Sequence, residues 1–580
     1  MLNMDQAGCE AGEASEAQVI EAAFGHYQAG RMAEAAAAFR RALDLNPDRL
    51  GALLMLGLIL SDGPNSDVAA AEALFNRCLE VSPENFLALN HLGQLHQKRG
   101  ENLAAVALFG RAAAQNPGFA PAFNNMGVSL HRLGRRVAAL AALDRALALD
   151  ANLTAVHGNR GHTLADMGRW DEARLAFLQA VACTPDSADT WRDLGTACHN
   201  ANLPAEAEAA CRRALTLDPE DLDTLIQLAT TLERMGRDDE ARETYAEVAR
   251  RRGLISEPCV DGTPRARILI LCAQGGSNVP PKYLFDHKLF ETIALNLPPP
   301  GSAGFDADEV VADLPEFDIM FSAVGDGKAD DPFLRQVDTL SRRFDRPLLN
   351  PPERIPPTCR DALPGLLAGI PGLVVPATRQ VTRAELEGMA AAADQPGLDQ
   401  PVLIRPIGSH GGHDLCKVAT AAELEAYLRH TPFDTFYVTD FVDFASADGY
   451  FRKYRFIFVD RQPFSYHLAI HNHWLIHYFR TDMDDEPWMK REEEAFLADY
   501  PAVFPGLAGA AVAEVARRLD LDYGGMDCGI TADGRVVVFE ANACMLLHLL
   551  DSAEDFPYKH RHVPRIVDAI GRMVLARLDD

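Results

Sequence analysis

Small and apolar positions along the first 250 residues return on one long period. Pro47, Pro83, Pro117, Pro185 and Pro219 stand roughly 34 residues, or about twice that, apart, with Ala151 on the skipped rung. Gly30, Gly100, Gly134, Gly168 and Gly236 mark a turn between two helices, with Asn202 where that glycine is missing. Gly57, Gly93, Gly127, Gly161 and Gly195 form a second series, where helices pack closely. Phe39, Phe75, Phe109, Phe177 and Tyr245 recur as anchors of the second helix. This predicts helix pairs over residues 16–252 whose apolar faces only a neighbouring pair can cover. Residues 1–15 precede the pattern and read as a disordered N-terminus.

The helical pattern ends at Arg250-Arg251-Arg252, and residues 253–264 read as a Pro/Gly-bearing linker. Short apolar runs ending in glycine-rich turns follow, Arg267 to Cys272 before Gly275-Gly276 and Phe317 to Val324 before Gly325. They suggest an open α/β layer over residues 265–355. Gly275-Gly276 lacks the spacing of a dinucleotide fingerprint. Pro347 to Pro357 reads as a crossing between subdomains, then a helix from Asp361 to Ala368 and an extended stretch from Gly372 to Thr378. Residues 356–578 divide into 356–445 and 446–578.

The most informative stretch is Gly524 to Met545, a β-hairpin. Asp533-Gly534 signals a two-residue type I′ turn, which needs positive φ at both positions. Pairing Ala532 with Arg535 puts Asp527 opposite Glu540, with Asn542 on the same face. Two carboxylates about 5 Å apart repel, so a shared proton, a basic neighbour or a metal ion must compensate. Two carboxylates and an amide oxygen suit magnesium held together with phosphates.

Upstream, Pro401 to Val418 is a strand carrying Arg405, a glycine-rich turn (Gly408, Ser409, His410, Gly411, Gly412) and a second strand. Backbone amides in such a loop can approach phosphate oxygens, with Arg405 as a fixed cation. Phe436 to Phe444 runs into acidic residues. Tyr454 to Val459 and Phe464 to Ile470 form a hairpin around residues 460–463, with Arg455 at its start.

Composition narrows the function classes. With 83 acidic against 55 basic residues, net −28, the chain is a poor candidate for nucleic acid or an anionic membrane surface. Eleven cysteines without a Cys-x-x-Cys pair read as buried free thiols. No apolar run approaches the ~20 residues of a membrane span. A cytoplasmic location is expected.

The 34-residue pattern resembles the tetratricopeptide repeat, about seven of them, which implies binding of a peptide or protein in the groove, or self-association as a homodimer. The second half, over about residues 265–575, resembles the ATP-grasp superfamily. Arg405 with the loop to Gly412, the strand from Thr439 to Val442, Arg455, and the trio Asp527, Glu540 and Asn542 carry the likeness. The fold class is thus a multidomain chain, an all-α TPR superhelix followed by an α/β (α+β) ATP-grasp fold.

That resemblance implies ATP between two sheets, with magnesium or manganese on Asp527, Glu540 and Asn542. Arg360, Arg405, Gly408, Ser409, Gly411, Gly412, Asp440, Phe441 and Val442 would bind the nucleotide, and Asp443 or Asp448 the ribose. Arg455 and Asn542 would be catalytic. Members activate a carboxylate as an acyl phosphate that an amine attacks. Arginine at 360 and 405 replaces the usual lysine, and Ala543-Cys544-Met545 replaces the Pro-Gly of many peptide ligases.

His467, His471, His473 and His477 would share one face of a continuous strand; they read as the lining of the acceptor-substrate pocket, with zinc or a plain sheet face as alternatives. Cys544 reads as a packed thiol, and Met483 to Glu494 as a solvated segment. The expected activity is ligation of a small carboxylate to an amine. A kinase, or a repeat scaffold with a nucleotide switch, are the alternatives. Alanine at Asp527 or Glu540 is expected to abolish ATP hydrolysis and leave the fold intact.

Overall fold

The computed structural model describes residues 15–62, 66–274, 278–279, 281–300, 311–312, 314–328, 331–392, 400–408, 414–431, 433–476, 483, 486–549, 551 and 553–579. The expectations for residues 1–14, Gly275-Gly276, Ser409, His410, Gly411, Gly412 and His477 lie outside them. The chain divides into two compact units between Asn202 and Leu203.

The described residues of the first unit form eleven helices: α1 (Glu16–Gln28), α2 (Met32–Leu45), α3 (Leu50–Ser61), α4 (Val68–Val81), α5 (Phe86–Lys98), α6 (Asn102–Gln115), α7 (Ala120–Arg132), α8 (Arg136–Leu149), α9 (Thr154–Asp166), α10 (Trp170–Cys183) and α11 (Ala188–Asn200). The two glycine series have different physical roles. Gly30, Gly100, Gly134 and Gly168 turn the chain at φ of 74°, 79°, 77° and 67°, and Asn202 adopts 60° in the glycine's place, as asparagine tolerates better than most residues. The packing glycines leave room for an aromatic edge. A Cβ on Gly93 would sit 2.7 Å from the Phe109 ring, and one on Gly161 2.6 Å from Phe177. Phe109 is fully buried and cannot yield. Gly93→Val should therefore cost about 1–3 kcal/mol by overpacking, read as a lower urea midpoint at unchanged slope. Side-chain amides link alternate helices: Asn125 Nδ2 donates to Asn90 Oδ1 at 3.1 Å, and Asn159 Nδ2 to Asn124 Oδ1 at 2.9 Å.

The second unit begins with α12 (Pro204–Leu217), α13 (Leu222–Arg234) and α14 (Asp238–Arg252) and continues through three sheets. The first contains β1 (Leu254–Glu257), β2 (Ala266–Ala273), β3 (Phe290–Leu297), β4 (Ile319–Ser322) and β5 (Leu348–Leu349), in the order β1-β3-β2-β4-β5. Strands β2 to β5 run parallel, and β1 pairs antiparallel with β3. The stretch 253–264 is thus no plain linker, because its first residues extend the sheet. The helix expected from Asp361 to Ala368 shrinks to Leu363–Leu366, a single turn containing Pro364 and Gly365.

The extended stretch from Gly372 to Thr378 is shared between two sheets. β6 (Leu373–Val374) pairs with β14 (Val536–Asn542), whereas β7 (Thr378–Thr382) joins a four-stranded antiparallel sheet with β8 (Val402–Pro406), β9 (Cys416–Val418) and β10 (Thr435–Asp440). Helices Arg383–Ala392 and Ala421–His430 cover that sheet, with Leu386 and Leu424 packed on Ile404 and Phe436.

The third sheet runs β12-β11-β13-β14-β6, where β11 is Phe451–Val459, β12 Gln462–His471 and β13 Tyr523–Ile530. Alternation sorts its faces. Phe456 and Phe458 pack with Phe496 and Val512 from helices Pro487–Ala498 and Leu507–Leu519, while Ile457 and Val459 pack with Ile566 and Val574 of helix Pro564–Asp579. The segment Met483 to Glu494 is therefore not simply solvated, since Met489 and Glu493 are buried. Among the described residues no helix is long and apolar enough to cross a membrane.

Candidate functional site

Asp527 faces Glu540, and Gly525 faces Asn542, but by a different route from the simple hairpin count. Thr531 and Arg535 close the turn, with Gly534 at φ 80° and Asp533 outside the positive-φ set. This three-residue loop shifts the register by one relative to a two-residue type I′ turn. A bulge at Phe539 then skips one residue, so that Cys528 pairs with Val538, and the shift is cancelled. The positive-φ pair occurs instead at Asp460 and Arg461, φ 47° and 63°, in the β11–β12 hairpin. There Arg461 reaches Asp460 and Asp522 at 2.8 Å and Asp520 at 2.9 Å, ion pairs that offset the strain of a non-glycine turn.

Basic neighbours answer the charge problem of the facing carboxylates. Arg455 grips Asp527 through both oxygens at 2.6 and 2.8 Å, and Lys453 approaches it to 3.3 Å. Arg360 pairs with Glu540. Burial pushes Asp527 up, but Arg455 and then Lys453 outweigh it and hold the carboxyl well below its usual range. Burial likewise raises Glu540 while Arg360 brings it down overall. Removing the Asp527 carboxylate would strand Arg455 and Lys453, so alanine there should cost stability. Asn542 Oδ1 accepts from the Cys544 N–H at 2.9 Å. Burial raises the Cys544 thiol, in keeping with a packed thiol.

These residues line one cavity of about 1400 Å³, which also takes in Arg405, Gly408, Asp440, Phe441, Val442 and His467. Burial, with Arg360 close by, brings the Arg405 guanidinium down to about 10. Gly408 turns at φ 82°. An apolar slot between the four-stranded and third sheets is formed by Leu403, Ile407, Val442, Phe444, Trp474 and Phe539. The Asp440 and Phe441 N–H groups are committed to the Ala377 and Pro401 carbonyls, so only their other groups are free for a ligand. Asp443 and Asp448 do not line the cavity. Asp443 caps the Ala445 N–H, and Arg452 holds both oxygens of Asp448 at 2.8 and 3.1 Å, so the two carboxylates expected at the ribose are engaged outside the cavity.

The histidines separate. His467 pairs across from Arg455 and lines the cavity; burial and Arg455 keep it neutral. Strand β12 ends at His471, so the shared face stops there. His471 Nδ1 accepts from the His473 N–H and His473 Nδ1 from the Leu475 N–H, and neither lines the cavity. Among the described residues no group of His, Cys, Asp and Glu could hold a metal by itself.

Sequence reasoning missed Lys453, two residues before Arg455 and therefore on the same face of β11, a signal the alternation carried. It also missed Tyr466, His548, Asp551 and Lys559, which line the same cavity. Lys559 Nζ lies 2.9 Å from Asp551 and 3.4 Å from Glu493, and the Tyr558 hydroxyl donates to Glu493 at 2.6 Å. Burial raises Glu493 to about 8 and lowers Lys559. No local motif announces a cluster drawn from residues 493 to 559. The buried-thiol reading holds for Cys78, Cys198, Cys211, Cys272, Cys359 and Cys528, but Cys183 is exposed. Among the described thiols, alkylation of the native protein at pH 7 should modify Cys183 ahead of these six, which stay protected until unfolding, as peptide mass mapping would read.

The donor set tests the fit of a divalent cation. Around the hairpin pair, Arg360, Arg405, Lys453 and Arg455 stand against Asp527 and Glu540, a local excess of cations within a lining that holds seven acidic and seven basic side chains in all. A bare metal ion would add to that excess, whereas a polyphosphate would balance it. The residues fit a metal that arrives with phosphate.

Models of the tetratricopeptide repeat match residues 22–86, 65–118, 90–153 and 159–221, and a second such model matches 201–253. Residues 22–253 are tetratricopeptide repeats. Solved structures share this likeness. MamA from residue 41 onward, of Desulfovibrio magneticus RS-1, is 22% identical, covering 29% of this chain and 94% of its own at a TM-score of 0.28. YrrB, titled a TPR protein with an unusual peptide-binding site, is 23% identical over 33% and 97% at 0.29. The Cut9–Hcn1 hetero-tetramer of APC/C is 16% identical over 38% and 43% at 0.34. At those scores they carry no argument about the TPR array's details. No curated protein matches the chain.

Proposed function

We propose that the protein is an ATP- and magnesium-dependent ligase of the ATP-grasp type that joins a carboxylate to an amine, its repeats binding a peptide or protein. One observation carries this reading: a single cavity joins an apolar slot between two sheets to four cations and two facing carboxylates. The slot suits a nucleobase, and the Arg405–Gly408 end suits phosphates. Asp527, Glu540 and Asn542 would hold magnesium, which when bound shields charge on the transferring phosphoryl group. A carboxylate oxygen of the substrate attacks the terminal phosphorus of ATP, the bond to the bridging oxygen breaks, and ADP leaves. The amine nitrogen then bonds to the acyl carbon, phosphate departs, and the nitrogen loses its proton. Arg360, Lys453 and Arg455 stabilise the anions of both steps without a protein nucleophile.

Arg405→Ala should weaken ATP binding about 10- to 100-fold, the scale of a charge-assisted hydrogen bond, in a calorimetric titration. Hydroxylamine added with ATP and carboxylates distinguishes the chemistry. A hydroxamate and free phosphate support ligation; a stable phosphorylated product would make the protein a kinase.

A further inference from the structure

At the anchor position of the second helix the repeats carry Phe39, Phe75, Phe109, Leu143, Phe177 and Cys211, and α14 carries Tyr245, which alone among them brings a hydroxyl. Its hydroxyl donates to Glu233 at 3.0 Å and lies 3.0 Å from the Thr230 hydroxyl. Thr230, Glu233, Tyr245 and Arg252 line the same cavity as Asp527 and Glu540, so α13 and α14 form a wall of the candidate catalytic chamber. The same cavity is lined by Gln274 and Asn296, at the C-terminal ends of the parallel strands β2 and β3, the edge of an open parallel sheet where ligands bind. Gln274 is buried, and the Asn296 Nδ2 is buried with no hydrogen-bond partner, a donor that needs an acceptor from a ligand.

At about 1400 Å³, the cavity exceeds the roughly 300–1,000 Å³ of an ordinary small-molecule pocket, so there is space for an extended molecule beside a nucleotide. Carboxamides and hydroxyls, which both donate and accept, complement a peptide backbone. The end of a chain reaching the hairpin meets Lys453, Arg360 and Arg455, which attract a carboxylate and repel an ammonium group.

We infer that the carboxylate activated at the hairpin is the C-terminal carboxylate of a polypeptide whose last residues lie along α13, α14 and the ends of β2 and β3. This rests on the ligase reading above. Activation forms the bond from the terminal carboxylate oxygen to phosphorus and releases ADP; hydroxylamine nitrogen then displaces phosphate from the same carbonyl carbon and loses a proton.

The test uses the full chain with Mg-ATP, hydroxylamine and a pool of random octapeptides, free or amidated at the C-terminus, beside a mixture of free amino acids and small carboxylic acids. Peptidyl hydroxamate should form from the free-acid peptides alone. Tyr245→Phe, which gives the residue found in four of the earlier repeats, and Arg252→Ala should each raise the peptide KM about tenfold, the equivalent of one hydrogen bond or ion contact, with the ATP KM unchanged. Equal hydroxamate from small carboxylates, consumption of amidated peptides, or an unchanged peptide KM in both variants would overturn the inference. Absence of ADP formation with every carboxylate, together with no ATP binding, would instead remove the ligase reading beneath it.

Discussion

Glu540→Gln should lower ATP turnover by at least about 100-fold while the protein stays folded. Glutamine has the same shape and can still accept a hydrogen bond from Arg360, so the local packing survives. What it loses is an anionic hard ligand, and changes even one shell further out cost metal sites about 10- to 100-fold. The Glu540 side chain is 26% exposed and glutamine keeps the hydrogen bond, so the stability cost should stay below the roughly 3–5 kcal/mol of a buried pair that loses one partner. The rate of ADP release and a urea melt, measured on one preparation, check both halves.

Asp527→Ala should behave differently and lose about 3–5 kcal/mol of stability, because removing one partner leaves buried cations uncompensated. The Asp527 side chain is only 4% exposed, against 17% for Arg455 and 20% for Lys453. The same contacts set a pH dependence. The folded carboxyl is held below its unfolded value of about 3.9. Its contribution is therefore present above that pH and lost as pH falls below it, when the unfolded chain takes up the proton first. Urea midpoints between pH 5 and pH 2 should fall less steeply in Asp527→Asn than in the native protein. A slope identical in both would show that the ion pair does not stabilise the fold.

The repeats were legible because each helix pair solves the same packing problem, so Gly93 against Phe109 and Gly161 against Phe177 recur on one period. The Asp527–Glu540 pairing was also read correctly, but only because two deviations cancel. A three-residue loop at Ala532 to Gly534 and a bulge at Phe539 each shift the register by one, and no local propensity reveals a bulge that packing against neighbours selects. The engagement of Asp443 and Asp448 outside the cavity was hidden for a related reason. Nothing near Asp448 shows that Arg452 takes both its oxygens, since that arginine is positioned by its strand. The cluster at Glu493, Asp551 and Lys559 joins segments far apart in sequence, and no period or spacing connects them.

The cavity between the sheets should act as a nucleotide–metal site. Calorimetric titration of the full chain with ATP, with and without magnesium, tests this most directly. One ATP per chain should bind in the micromolar range, more tightly with magnesium, and Glu540→Gln should remove the gain from magnesium while Arg405→Ala weakens binding in either case. No ATP binding, or binding indifferent to magnesium and to both substitutions, would contradict it.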